Sequence, residues 1–285
     1  MKNDQQLKEL VKEKYAAIAE QSQLQNATSC CGATAACCGD EVYNIMSDDY
    51  TSLEGYNPDA DLGLGCGLPT AFARIKEGDV VIDLGSGAGN DAFIARRLAG
   101  EKGKVLGIDF TEAMIKKARA NAEKMGYRNV EFRQGDIDDM PVTSNFADVI
   151  VSNCVLNLVP DKHKVISEIF RVLKPGGHFS ISDIVLEGAL PPHWKEVAEL
   201  YAGCVSGAVQ KQVYLETIEA ACFKNITLQK DKPIIIPHEI LSNYLSEKDI
   251  DAFKKSNAKI TSITVYAEKP AKDDSNCCGP GSGCC

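Results

Sequence analysis

No stretch of this 285-residue sequence is apolar for long enough to span a bilayer. Its opening, Met1-Lys2-Asn3-Asp4-Gln5-Gln6-Leu7, is polar, with no apolar segment behind it of the kind a secretory signal needs. There is no basic stripe and no run of lysine or arginine: 31 basic residues face 40 acidic ones, for a net charge of −9. A nucleic-acid partner is therefore not expected, because phosphates call for clustered positive charge. Histidines number four, and none lies beside the isolated cysteines, His163 being the closest. These absences predict a soluble, cytoplasmic protein without a membrane or nucleic-acid partner. A hydrophobic content of 44% is enough for a full core in one large or two small domains.

Cysteine is abundant instead, at twelve residues. In a reducing cytosol these should be thiols, which points to metal binding or catalysis ahead of structural disulfides. Small buried hydrophobes are the plainer alternative for some of them. Cys30, Cys31, Cys37 and Cys38 form one cluster; Cys277, Cys278, Cys284 and Cys285 form another with the same spacing, Cys-Cys-Gly, four residues, Cys-Cys. Cys66, Cys154, Cys204 and Cys222 stand alone.

The most informative stretch is Val80-Val81-Ile82-Asp83-Leu84-Gly85-Ser86-Gly87-Ala88-Gly89-Asn90-Asp91. It reads as a strand, a glycine turn and a helix start, the opening of a nucleotide-binding α/β unit. A dinucleotide fingerprint needs G-x-G-x-x-G, and Asn90 stands where its third glycine belongs. Asp91 is a poor neighbour for a pyrophosphate. The turn thus suits a nucleoside without a phosphate chain, and Asp83 suits an ammonium or a hydroxyl.

Strands are expected at 79–84, 104–109, 130–134, 147–151 and 178–183, with helices at 4–22, 70–76, 90–99, 112–125 (capped by Thr111) and 161–173. Lys174-Pro175-Gly176-Gly177 reads as a helix stop. Further on, 191–220 and 237–256 read as helical, and 226–229 and 260–267 as closing strands. The regular alternation predicts a Rossmann-like, doubly wound, mostly parallel α/β sheet with a C-terminal α+β extension. Four regions are expected: an N-terminal helix with cysteine-bearing loops (1–78), a nucleotide-binding domain (79–190), substrate helices and closing strands (191–268), and a polar cysteine-rich tail (269–285) with no means of packing.

Ligands of such sheets bind beyond the carboxyl ends of the strands. Asp83 to Gly89, Asp109, Asp136 and Asn153-Cys154 all fall there. Asp109 lies where a carboxylate meets ribose hydroxyls; Asp136 is either an adenine contact or a turn residue. Cys66, on a glycine loop, and Cys204 could fold over the same edge as Cys154. Zinc would want four ligands at about 2.3 Å for sulfur, usually two of them close in sequence. Three isolated thiolates suit a soft trivalent centre that keeps a lone pair, such as arsenic. A lone pair aimed at a sulfonium methyl needs positioning and dryness, and no general base.

The motifs Gly65-Cys66-Gly67, Asp83-Leu84-Gly85-Ser86-Gly87-Ala88-Gly89-Asn90-Asp91, Ser152-Asn153-Cys154-Val155-Leu156-Asn157-Leu158-Val159-Pro160-Asp161-Lys162 and Gly203-Cys204-Val205-Ser206-Gly207-Ala208 resemble those of the bacterial arsenite S-adenosylmethionine methyltransferases, members of the class I methyltransferase fold. The likeness runs from about residue 10 to 268. It implies S-adenosylmethionine bound by Asp83, Gly85, Ser86, Gly87, Asp109, Phe110, Asp136, Ile137 and Asn153. It implies arsenic held by Cys154 and Cys204. Cys66, with an N-terminal cysteine, is implied in binding and in a disulfide that returns pentavalent product to the trivalent state. Cys30 or Cys31 fits that N-terminal position better than Cys37 or Cys38, and Cys31 is carried as a catalytic residue. A thiol reductant, thioredoxin or glutathione, is implied as co-substrate, and arsenite or its thiol conjugates as substrate. Cys222 falls where glycine usually ends a helix and reads as structural. The terminal tail either captures arsenite or a soft metal for delivery, or is dispensable. A small-molecule, quinone-like methyltransferase and a non-catalytic thiol buffer are the competing functions.

Overall fold

The computed structural model describes residues 4–20, 49–188, 207–234, 238, 242, 245–256 and 258–271. Its elements are α1 (Asp4–Glu20), α2 (Pro69–Phe72), β1 (Val80–Leu84), α3 (Asn90–Ala99), β2 (Lys104–Asp109), α4 (Glu112–Lys124), β3 (Val130–Gln134), β4 (Ala147–Asn153), α5 (Lys162–Val172), β5 (Leu173–Glu187), α6 (Lys211–Ala220), β6 (Lys224–Ile234), α7 (Glu247–Lys255) and β7 (Lys259–Glu268). Cys30, Cys31, Cys37, Cys38, Cys204 and the terminal cluster lie outside the described residues, as do most of the helix expected at 191–220 and the first part of that at 237–256.

One seven-stranded sheet runs in the order β3-β2-β1-β4-β5-β7-β6. The pairs from β3 to β5 are parallel, whereas β7 is antiparallel to both β5 and β6. The closing strands therefore complete the same sheet. The central strands are apolar throughout because both faces are covered. Ile82, Leu84, Leu106, Ile108 and Ile150 pack with Val165, Ile166 and Ile169 of α5 and Tyr214 and Ile218 of α6. Their alternates Val81, Val105, Val149 and Val151 pack with α1, α3 and α4 on the opposite face.

Some boundaries differ from the sequence reading. The helix at 70–76 stops at Phe72, and Arg74 takes a left-handed conformation (φ 51°) that no helix continues through. Thr111 sits at the N-cap with extended geometry, but its side chain makes no cap bond; its N–H donates instead to Asp109 Oδ1 at 2.8 Å. β4 runs two residues further, to Asn153. β5 starts at Leu173 rather than 178: Ala147 pairs with Leu173 and Val149 with His178, so residues 174–177 form an excursion between two paired positions. Lys269 fastens the end of β7 through Nζ bonds to Phe170 O (2.8 Å), Leu173 O (2.7 Å) and Asn145 Oδ1 (2.8 Å).

Candidate active site

The glycine turn after β1 is built from backbone bonds: the N–H groups of Gly85 and Ser86 both donate to Ile108 O, at 2.8 and 3.0 Å, and Gly89 N–H donates to Ser86 O at 2.8 Å. Gly85, Gly87 and Gly89 have φ of 67°, 51° and 101°, a region that side-chain-bearing residues avoid. Around Gly87 a Cβ would meet nothing nearer than Met114 Sδ at 4.0 Å, so the turn presents bare backbone to open space. That space is a cleft of about 730 Å³ including its mouth, lined among others by Asp83, Ser86, Gly87, Asp109, Phe110 and Asn153. An adjoining pocket of about 440 Å³ shares Gly85, Asp109 and Phe110 and adds Asp136 and Ile137. The two spaces meet at Gly85, Asp109, Phe110, Val155 and Leu158, which line both. Every residue expected from the sequence to hold the cofactor thus lines one of these two spaces.

Asp83 is buried, and its Oδ2 has no hydrogen-bond partner, as is also true of Ser86 Oγ. Burial pushes the Asp83 carboxyl well above the usual range, and the charges of Asp91 and Asp109 push the same way. A backbone bond from Ala92 lowers it, and the oxygen left without a partner fits the ammonium of a bound amino acid moiety. Asp109 is raised by burial too, but Oδ2 accepts Gly87 N–H at 3.0 Å and Oδ1 accepts Thr111 N–H, which holds it at the mouth of the turn. The residues present therefore fit S-adenosylmethionine: an acid for the ammonium, an acid for the ribose, and Phe110, Asp136 and Ile137 for the base.

Cys154 lines this cleft, and Cys66 meets it there from 88 positions away, buried behind the lining residue Gly65. They are joined as a disulfide with Cα atoms 5.7 Å apart. The resemblance implied an N-terminal partner for Cys66; within the described residues its partner is Cys154. Both are buried, in an apolar group with Leu158, Ile184 and Ala208. Cys154 follows β4 directly with φ 60°, its N–H donating to Ser182 O at 2.8 Å. Among the described residues no three cysteine, histidine or acidic side chains form a cluster placed to hold a metal ion. Cys222 follows Ala221, the C-cap of α6, in the left-handed conformation, φ 65°, as its glycine-like position suggested.

Tyr50 and Asp91 were not singled out as site residues. Tyr50 is buried, and its hydroxyl reaches Gly67 O at 2.9 Å and Asp91 Oδ2 at 3.0 Å; burial and the Asp91 charge raise it well above its ordinary value, so it stays protonated. Burial raises Asp91 to about 6, against bonds from Asn153, Tyr50 and Thr70. Nothing in the irregular segment around Tyr50 signals this role; Asp91 carried the signal of an acid at a helix start after a glycine turn. Asn153 lines the cleft as expected, and it also donates through Nδ2 to Gly67 O at 2.8 Å.

A methyltransferase-domain family matches residues 75–222. An arsenite methyltransferase from Halobacterium salinarum is 36% identical over 96% of this chain and 69% of the relative. The chain belongs to the arsenite methyltransferase family. A second arsenite methyltransferase, from Aquipseudomonas alcaligenes, is 37% identical over 64% of this chain, which spans 54% of that relative's length. The solved structure of CrArsM, an arsenic(III) S-adenosylmethionine methyltransferase from Chlamydomonas reinhardtii, is 33% identical and superposes with a TM-score of 0.62 over 72% of this chain and 68% of its own. Among the described residues no helix is long and apolar enough to cross a membrane.

Proposed function

We propose that this chain methylates trivalent arsenic held by cysteine thiolates, taking the methyl group from S-adenosylmethionine, and so detoxifies arsenite. The observation that carries the reading is the pairing of Cys66 with Cys154 beside a cleft that Cys154 lines together with a buried Asp83 whose Oδ2 has no partner. S-adenosylmethionine supplies an electrophilic sulfonium methyl when bound. Asp83 would receive its ammonium, Asp109 its ribose hydroxyls, and Asp136 and Ile137 its adenine. The bare backbone at Gly87 would let the ligand lie against the turn, beside Phe110.

Arsenite exchanges its hydroxides for thiolates. Cys66 and Cys154 provide two, Cys204 the third, with Cys30 or Cys31 as further donors; a cellular thiol can enter with the substrate. The arsenic lone pair forms the new As–C bond while the electrons of the old C–S bond leave with the sulfur. No proton moves, so the protein's work is alignment and exclusion of water. Arsenic is then pentavalent. Two cysteine thiolates return it to the trivalent state by giving up two electrons and closing as a disulfide. Cys66 and Cys154 stand joined in that state, which supports their part in this step. A thiol reductant, thioredoxin or glutathione, reopens the bond for the next turnover.

The test is to incubate purified protein with arsenite, S-adenosylmethionine and glutathione or thioredoxin, and to separate methylated arsenic species over time. Methylated arsenic that requires both the cofactor and the reductant is expected. Stoichiometric arsenic binding without turnover would favour a thiol buffer, and methylation of a quinone by a protein lacking Cys66 and Cys154 would favour the small-molecule reading.

A further inference from the structure

Asp91 lines the same cleft as Asp83 and Asp109, but its carboxylate is spent on other side chains. It opens α3 and is buried, and its carboxylate is turned toward the cysteine loop and the end of β4. Oδ2 accepts from Tyr50 Oη at 3.0 Å and from Asn153 Nδ2 at 3.1 Å; Oδ1 lies 3.4 Å from Thr70 Oγ1. Asn153 Nδ2 also reaches Gly67 O at 2.8 Å and Tyr50 Oη, and so held it presents its Oδ1 to the Cys66 N–H at 3.0 Å. On the other side of the same residue, Ser262 Oγ donates to Cys66 O at 2.6 Å. The Cys66 backbone is therefore gripped on both sides by side chains, independently of its own sulfur.

We propose that Asp91 is a positioning residue for the Cys66–Cys154 pair: it orients Asn153, and Asn153 fixes the Cys66 peptide beside Cys154. A pair whose backbone is fixed stays in register when the S–S bond opens. Both sulfurs then face one soft trivalent centre together, and they re-close without a search. Because Asp91 belongs to the helix that begins at the glycine turn, the same carboxylate ties the cofactor turn to the thiol loop. The groups facing it are Tyr50, Thr70 and Asn153, with Asp61 and Asp83 the charged neighbours. This inference rests on the proposed arsenic chemistry for its purpose, but its physical content is a property of the thiol pair alone.

The experiment measures the equilibrium between the Cys66–Cys154 disulfide and glutathione in the full chain, with peptide mapping after alkylation to follow this pair only. In that exchange two glutathione thiols become oxidised glutathione and the protein gains two thiols. Asp91→Ala is expected to lower the effective thiol concentration of the pair about tenfold, the size of one lost buried hydrogen bond. Asp91→Asn is expected to stay within about threefold of the wild type, since its amide oxygen accepts from Tyr50 and Asn153 while its nitrogen donates to Thr70. Tyr50→Phe removes one of the two donors to Oδ2, together with the Tyr50 Oη contacts to Asn153 Nδ2 and Gly67 O, and is expected to shift the equilibrium about threefold in the same direction, which keeps the test open where Asp91→Ala does not fold. An unchanged equilibrium in Tyr50→Phe, and in a folded Asp91→Ala, overturns the proposal. Arsenite turnover measured on the same proteins separates the two readings: a shifted equilibrium in a protein whose wild type never methylates arsenic sinks the proposed function and leaves the positioning role standing.

Discussion

Val155 packs its Cγ atoms into the place where a side chain on Gly85 would have to go. Gly85 is also in the left-handed region, with φ 67°. Gly85→Ala therefore combines backbone strain of about 1–2 kcal/mol with overpacking of about 1–3 kcal/mol. Thermal denaturation should show a lower midpoint, and calorimetric titration should show weakened S-adenosylmethionine binding. A variant that melts and binds like the wild type would mean that the turn and Val155 relax apart freely.

Asp109 spends both carboxylate oxygens on backbone N–H groups, those of Gly87 and Thr111. Asp109→Ala removes two charge-assisted bonds that shape the turn and also the acid expected on the ribose. Cofactor affinity should fall by about ten- to a hundredfold, the range of one such bond, with the loss read as a raised Kd in titration calorimetry.

Removing one sulfur of the pair has a different signature. Cys66→Ser or Cys154→Ser should abolish arsenic methylation while S-adenosylmethionine binding persists, because the acids that hold the cofactor are untouched. Alkylation under non-reducing conditions should label one additional thiol in each variant, the partner left behind. Full methylation in either variant would remove the thiol pair from the reaction.

The pH dependence of stability has a definite sign. Burial raises Asp183 to about 7, moderated by the Lys162 charge and by bonds from Ile184 N–H and Tyr214 Oη. Its folded value is above the ordinary 3.8, so the folded chain holds this proton more tightly than the unfolded one. Stability from this group is present in mild acid and is lost as pH rises through about 7. Asp91, at about 6, and Asp83 act in the same direction. The cofactor-free protein should thus melt higher at pH 6 than at pH 8. Asp183→Asn should remove roughly 1–1.5 kcal/mol of that difference, measured by chemical denaturation at the two pH values. A profile as steep as the wild type's would show that Asp183 is ionised already at pH 6.

Much of the fold was legible because its signals are local. β2 and β3 match their expected limits, since each is an apolar or alternating run closed by turn residues. The acids at the ends of β1 and β2 fell at the cleft because the parallel sheet dictates where strand ends gather. What escaped was non-local. Tyr50 sits in a segment without periodicity, and its partners lie 17 to 103 positions away. The excursion at 174–177 looked like a full stop because Pro175 and its glycines end helices and interrupt strands equally well. That Cys66 joins Cys154 depends on a loop, a strand end and Ser262 of β7 converging, which no spacing in the sequence encodes.

Cys154 has a backbone better suited to another residue. With φ 60° it occupies a conformation that glycine adopts freely and that costs a side-chain-bearing residue roughly 1 kcal/mol. Under reducing conditions, where no disulfide forms, Cys154→Gly is accordingly expected to melt higher than Cys154→Ser, which keeps the strain and buries a hydroxyl. At this one residue the chain accepts a permanently awkward peptide and keeps a cysteine where β4 ends against the cleft.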